Sequence, residues 1–75
     1  MAYQVMAHVY KDPHTFVEIE DIATIGRRAI KIVGHGFAKR NACDKPNKNI
    51  GYEVAIARAI EDVRRKRTKI KNAIG

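Results

Sequence analysis

Six of the eight residues from Arg64 to Lys71 are cationic, a density suited to neutralising a polyanion. Lys39, Arg40, Lys45 and Lys48 form a second, looser basic group. Lysine and arginine neutralise phosphates and release counterions whatever the base sequence, so nucleic acid is the leading partner. The asymmetry sharpens this reading: residues 1–37 carry four cations and four anions. From Ala38 onward eleven cations face four anions, which accounts for the whole net charge of +7. The candidates for phosphate contact are Lys39, Arg40, Lys45, Lys48, Arg64, Arg65, Arg67 and Lys69. A competing account makes them a solvated cationic surface, and the distal run would also complement the negative end of a helix dipole.

Other chemistries find less support. His8, His14, His35 and Cys43 show no Cys-x-x-Cys or His-x-x-x-His spacing, so no metal site is expected. No nucleophile, base and oxyanion donor are arranged together, and no glycine-rich phosphate loop precedes a helix, so neither an enzyme nor a cofactor is expected. The five aromatics are Tyr3, Tyr10, Phe16, Phe37 and Tyr52. They could stack on bases if they clustered on an open sheet face, although their spacing favours places in or beside the core. Arg58 is expected to pair with Asp62 or Asp44.

The elements that position these groups must be few. A chain of 75 residues forms one small domain, 1–75, which buries about 60 to 65% of its unfolded surface. The single cysteine excludes an internal disulfide, so stability comes from packing or self-association. No apolar run reaches the roughly 18 residues of a membrane span, and the opening residues lack the pattern of a signal peptide. A cytoplasmic setting without membrane contact is expected.

Tyr3, Val5, Ala7 and Val9 alternate with Gln4, Met6, His8 and Tyr10, the period of a strand. Lys11-Asp12-Pro13-His14-Thr15 reads as a turn, and Phe16, Val17 and Ile19, interleaved with Glu18 and Glu20, as a second strand. Residues 21–34 are ambiguous. Ile22, Ile25, Ala29, Ile30 and Val33 recur at helical spacing, with Asp21 as a cap and Gly34 as a stop. Against the helix, Gly26 costs about 1 kcal/mol, Ile30-Lys31-Ile32 alternates, and Gly34-His35-Gly36 suits a bulge. The balance favours a Gly26-Arg27-Arg28 turn and a third strand over 29–38.

Residues 40–49 form a basic loop rich in Asn and Lys. Asn49 then caps a helix over about 50–71. Tyr52, Ile56, Ala59, Ile60 and Val63 share a stripe on that helix, continuing through Ile70 and Ile74, which should lie on the sheet. Glu61 with Arg65, and Asp62 with Lys66, sit at i,i+4 in the favourable order.

The segment Gly34-His35-Gly36-Phe37-Ala38-Lys39-Arg40-Asn41-Ala42-Cys43-Asp44-Lys45-Pro46, followed by Ile50-Gly51-Tyr52-Glu53-Val54-Ala55-Ile56-Ala57-Arg58-Ala59-Ile60, resembles a family of small bacterial proteins of unknown function. The resemblance implies a fold like the double-stranded-RNA-binding domain: a three-stranded antiparallel sheet backed by one C-terminal helix. It supports the third strand and implies no activity. Binders of double-stranded RNA grip phosphates with a lysine cluster at the start of the last helix. Here that place holds Asn49, Gly51, Tyr52 and Glu53, which argues against the usual mode.

These readings converge on an α+β fold, β-β-β-α, with the strands within residues 1–39 and one long C-terminal helix. The expected function is non-enzymatic nucleic-acid binding through phosphates with little base specificity. The alternative is a protein-interaction module, a small regulator or inhibitor docking an acidic partner. Self-association as a homodimer through an open sheet face or edge is the third possibility.

Overall fold

The computed structural model of the chain describes residues 3–41, 43, 45 and 48–74, with the side chains of Lys48 and Ile74 outside that description. Three strands, β1 (Tyr3–Lys11), β2 (His14–Ile25) and β3 (Arg28–Lys39), precede one helix, α1 (Lys48–Ile74). The strands form an antiparallel sheet in the order β1-β2-β3. The α+β arrangement expected from the sequence is the one observed. Residues 21–34 are strand, turn and strand, and the helix begins two residues earlier than expected. Asn49 therefore lies in its first turn rather than at its cap.

Two two-residue turns join the strands, Asp12–Pro13 between Lys11 and His14, and Gly26–Arg27 between Ile25 and Arg28. Gly26 has φ 65°, the positive value at the first central position that a type II′ hairpin turn demands and that glycine adopts without steric cost. β2 and β3 then pair over twelve residues without a slip. The expected bulge at Gly34-His35-Gly36 is therefore absent. Among the described residues the register shifts instead between Val5 and Ala7 of β1.

That bulge changes which residues of β1 face the helix. Val5 opposes the buried Ile19, but beyond Met6 it is His8 that opposes Val17, while Ala7 and Val9 oppose Glu18 and Phe16. One inserted residue inverts the parity of a strand. Ala7 and Val9, expected beside Tyr3 and Val5, turn to the opposite face, and the His8 ring packs on Tyr52 of α1 at 4.5 Å between centroids.

α1 lies along β2 and β3, antiparallel to β3. Ala55, Ala59 and Val63, one step of four residues apart, are fully buried against Val17, Ile19, Ala23, Ile32 and Ala38, flanked by Tyr52, Ile56, Ile60 and Ile70. The centre of the stripe thus includes Ala55, which the expected stripe omitted, because small residues lie where the helix comes closest. Gly34 and Gly36 make this approach possible. A Cβ on Gly36 would stand 1.7 Å from the Ala55 carbonyl oxygen, and one on Gly34 2.5 Å from that of Ala59.

Candidate nucleic-acid interface

The close contact of α1 with β3 first decides which cations the fold consumes. β3 is an edge strand, and its outward backbone groups need partners or water. Three side chains of α1 at i, i+4 and i+8 supply them. Arg58 Nη1 donates to the Phe37 carbonyl at 2.6 Å, the His35 N–H donates to Asp62 Oδ2 at 3.0 Å, and Lys66 Nζ donates to the Val33 carbonyl at 2.6 Å. Lys66 also pairs with Asp62 at 3.1 Å, as its i,i+4 spacing suggested. The hydrogen bond from the His35 amide, aided by Lys66, holds the Asp62 carboxyl below its usual range. Among the described residues no ion pair joins Glu61 to Arg65. Arg58 binds the strand backbone rather than Asp62, and Asp44, the other carboxylate expected for it, lies outside the described residues.

Two of the candidate cations are likewise engaged in the fold. Arg67 pairs with Asp21 on β2, which is only 3% exposed, and this contact anchors the distal half of α1. Arg40 straddles Asp12 with Nε at 2.8 Å and Nη2 at 3.0 Å, while its amide donates to the Pro13 carbonyl at 2.7 Å. The bidentate pair ties the end of β3 to the β1–β2 turn, and the guanidinium holds the Asp12 carboxyl below its usual range.

Two exposed basic regions remain. At the first, the end of β3, the start of α1 and the β1–β2 turn enclose an open groove of about 710 Å³. Lys39, Lys45, Arg40 and Arg58 line it beside apolar Pro13, Ile50 and Val54. The Lys48 side chain lies outside the described residues. The second region is the outer face of α1, where Arg64, Arg65, Lys69 and Lys71 are exposed and form no ion pair among the described residues. The two regions lie about 20 Å apart along the helix.

The aromatic residues divide in a way their spacing did not reveal. Tyr10 and Tyr52 are half-buried on the helix side of the sheet, whereas Phe16 and Phe37 lie on the open side, directly opposite each other across β2 and β3. His14 stacks on Phe37 at 5.3 Å between ring centroids, and His35 on Phe16 at 5.7 Å. His35 Nε2 also lies 2.9 Å from Glu18 Oε1. The signal was available once β2 and β3 were aligned, since a two-residue turn at Gly26–Arg27 dictates that Phe16 meets Phe37.

No group of three or more metal-ligating side chains occurs among the described residues, and no helix there is long and apolar enough to cross a membrane. Against known proteins, the model of the Rv2632c-like family matches residues 15–68, from the second residue of β2 to the distal part of the helix. No curated protein and no solved structure matches the chain.

Proposed function

The chain belongs to the Rv2632c-like family, a family of small domains, and from that premise we propose that it binds nucleic acid without catalysing a reaction, contacting phosphates with little base specificity. One observation carries this reading. The fold engages Arg40, Arg58, Lys66 and Arg67 in fixed contacts, yet leaves Arg64, Arg65, Lys69 and Lys71 exposed and without ion pairs among the described residues along one face of α1. Contacts to phosphates carry no base information, so cations used in this way set affinity rather than sequence preference.

The likeness to the double-stranded-RNA-binding fold belongs to this proposal. The start of α1, with Asn49, Gly51, Tyr52 and Glu53, does not supply that fold's usual lysine cluster, so the proposed contacts lie on the distal face of the helix and at the groove. The test is an anisotropy titration of labelled duplex and single-stranded oligonucleotides at about 50 and 200 mM salt. Four phosphate contacts predict about 150-fold weaker binding at the higher salt. The triple charge reversal R64E/R65E/K69E should abolish binding while leaving the far-UV circular dichroism unchanged. Binding by the wild type that ignores salt, or by the reversed variant at full strength, would overturn the reading and turn the search to a protein partner.

A further inference from the structure

We propose that the open face of the sheet is a base-stacking platform for single-stranded nucleic acid, an inference that rests on the phosphate-binding reading and extends it to a second surface. Val9, Phe16 and Phe37 stand in one row across all three strands. Val9 is 56% and Phe37 50% exposed. The bulge in β1 is what turns Val9 to this side. His14 and His35 stack diagonally on the two phenylalanines, so four rings lie together on β2 and β3. Rings held in place by neighbouring rings present π-faces to which any base can stack, without sequence readout.

The charges beside the row match a backbone. Lys11, His14 and Lys39 form the next row, two residues along each strand and on the same face. At about 3.3 Å per residue this row lies about 7 Å along the sheet from the aromatic one, so Lys11 and Lys39, the latter at the rim shared with the groove, are within side-chain reach of the phosphates of stacked nucleotides. On the other side, Glu18 is hydrogen-bonded to His35 and Glu20 pairs with Lys31. A second copy packed face to face is the less suitable occupant. It would bury Lys11, Glu18, Glu20, Lys31 and Lys39 together with the apolar Val9, Phe16, Ile22, Val33 and Phe37, and desolvating five charged side chains offsets much of what those five apolar ones contribute. A duplex offers no base faces. The fitting ligand is therefore defined by its unpaired bases rather than by its sugar.

The experiment compares a labelled 15-nucleotide oligo(dT) with a 15-base-pair duplex, using the wild type and the variants Phe37→Ala and Phe37→Leu at about 50 mM salt. Phe37→Ala should weaken oligo(dT) binding about 5- to 150-fold, the usual effect of removing a stacking ring. Phe37→Leu keeps apolar bulk and removes the ring, so it should still lose about 5-fold or more. Duplex binding by both should stay within about twofold of wild type. Oligo(dT) binding by Phe37→Leu at wild-type affinity, with duplex binding intact, would overturn the platform and leave the phosphate reading standing. Failure of the wild type to bind either probe would overturn both. A concentration-dependent dimer in sedimentation that Phe37→Leu dissolves would assign the face to a second copy and equally overturn the platform.

Discussion

Replacing Gly36 with alanine should be among the most damaging conservative changes in this protein. The added Cβ would lie 1.7 Å from the Ala55 carbonyl oxygen, 2.7 Å from the Ala55 carbonyl carbon and 2.7 Å from the Ala59 nitrogen. All three are backbone atoms, so no side chain can rotate away. Ordinary contact begins at 3.4 Å, and restoring it requires α1 to retreat by roughly 1.7 Å, more than enough to forfeit half the dispersion energy across the contact. Ala55, Ala59 and Val63 would lift from the sheet together, and Arg58, Asp62 and Lys66 would draw away from the edge of β3. Overpacking of this kind costs about 3 kcal/mol, at the upper end of its usual range, against a total stability of about 4 to 11 kcal/mol for a chain this size. Gly34→Ala meets the Ala59 carbonyl oxygen and Val63 Cγ2, each at 2.5 Å. Neither the backbone oxygen nor the fully buried Val63 moves freely, but the retreat needed is about half that at Gly36, so the cost falls to about 1 to 2 kcal/mol. Gly51→Ala meets only the Thr15 side chain, with Oγ1 at 2.6 Å, and gains up to about 1 kcal/mol of helix propensity, leaving it within about 1 kcal/mol of wild type. Urea unfolding followed by circular dichroism at 222 nm measures all three. If Gly36→Ala unfolds within about 1 kcal/mol of wild type, or Gly51→Ala costs more than Gly36→Ala, close backbone approach is not what these glycines provide.

Other expectations follow from the ion pairs and the charged edge. Arg67→Met strands the carboxylate of Asp21, which is 3% exposed, and should cost about 2 kcal/mol, less than a fully buried pair because the guanidinium end is 39% exposed. Adding Asp21→Asn should recover part of that loss, and equal losses in the single and double variants would show that the pair is not coupled. Asp12 and Asp62 both titrate below the ordinary 3.8, so the unfolded chain takes up protons first as pH falls. Their contribution to stability is therefore fully present above about pH 5 and lost progressively as pH drops through 3.8 and below. Urea midpoints between pH 6 and 3 should fall less steeply for Asp62→Asn than for wild type, and parallel slopes would contradict the role of the His35 amide.

The strands, the turns, the helix and the charge asymmetry were legible in the sequence because each is a local pattern. Alternation over Tyr3–Tyr10, Asp-Pro and Gly-Arg at the reversals, and an apolar stripe from Tyr52 to Ile70 arise from neighbours within a few residues, where backbone geometry alone relates sequence to structure. The ambiguity over 21–34 was of the same local kind, and the long partner strand resolved it: twelve pairs between β2 and β3 outweigh any helical preference of five spaced aliphatics.

What only the tertiary structure decided depends on contacts between distant residues. Eight cations were equal candidates in the sequence, yet Asp12, 28 residues from Arg40, and Asp21, 46 residues from Arg67, withdraw those two into the fold. Nothing local to Gly34 and Gly36 marks them as the seat of a helix rather than a bulge. That role exists only once Ala55 and Ala59 lie against them. The bulge beside Met6 redirects Val9 to the open face, and the register of the β2–β3 hairpin aligns Phe16 with Phe37. Composition and periodicity determine which segments form and what total charge they carry. Pairing register and helix approach determine which of those side chains the solvent, and any partner, can reach.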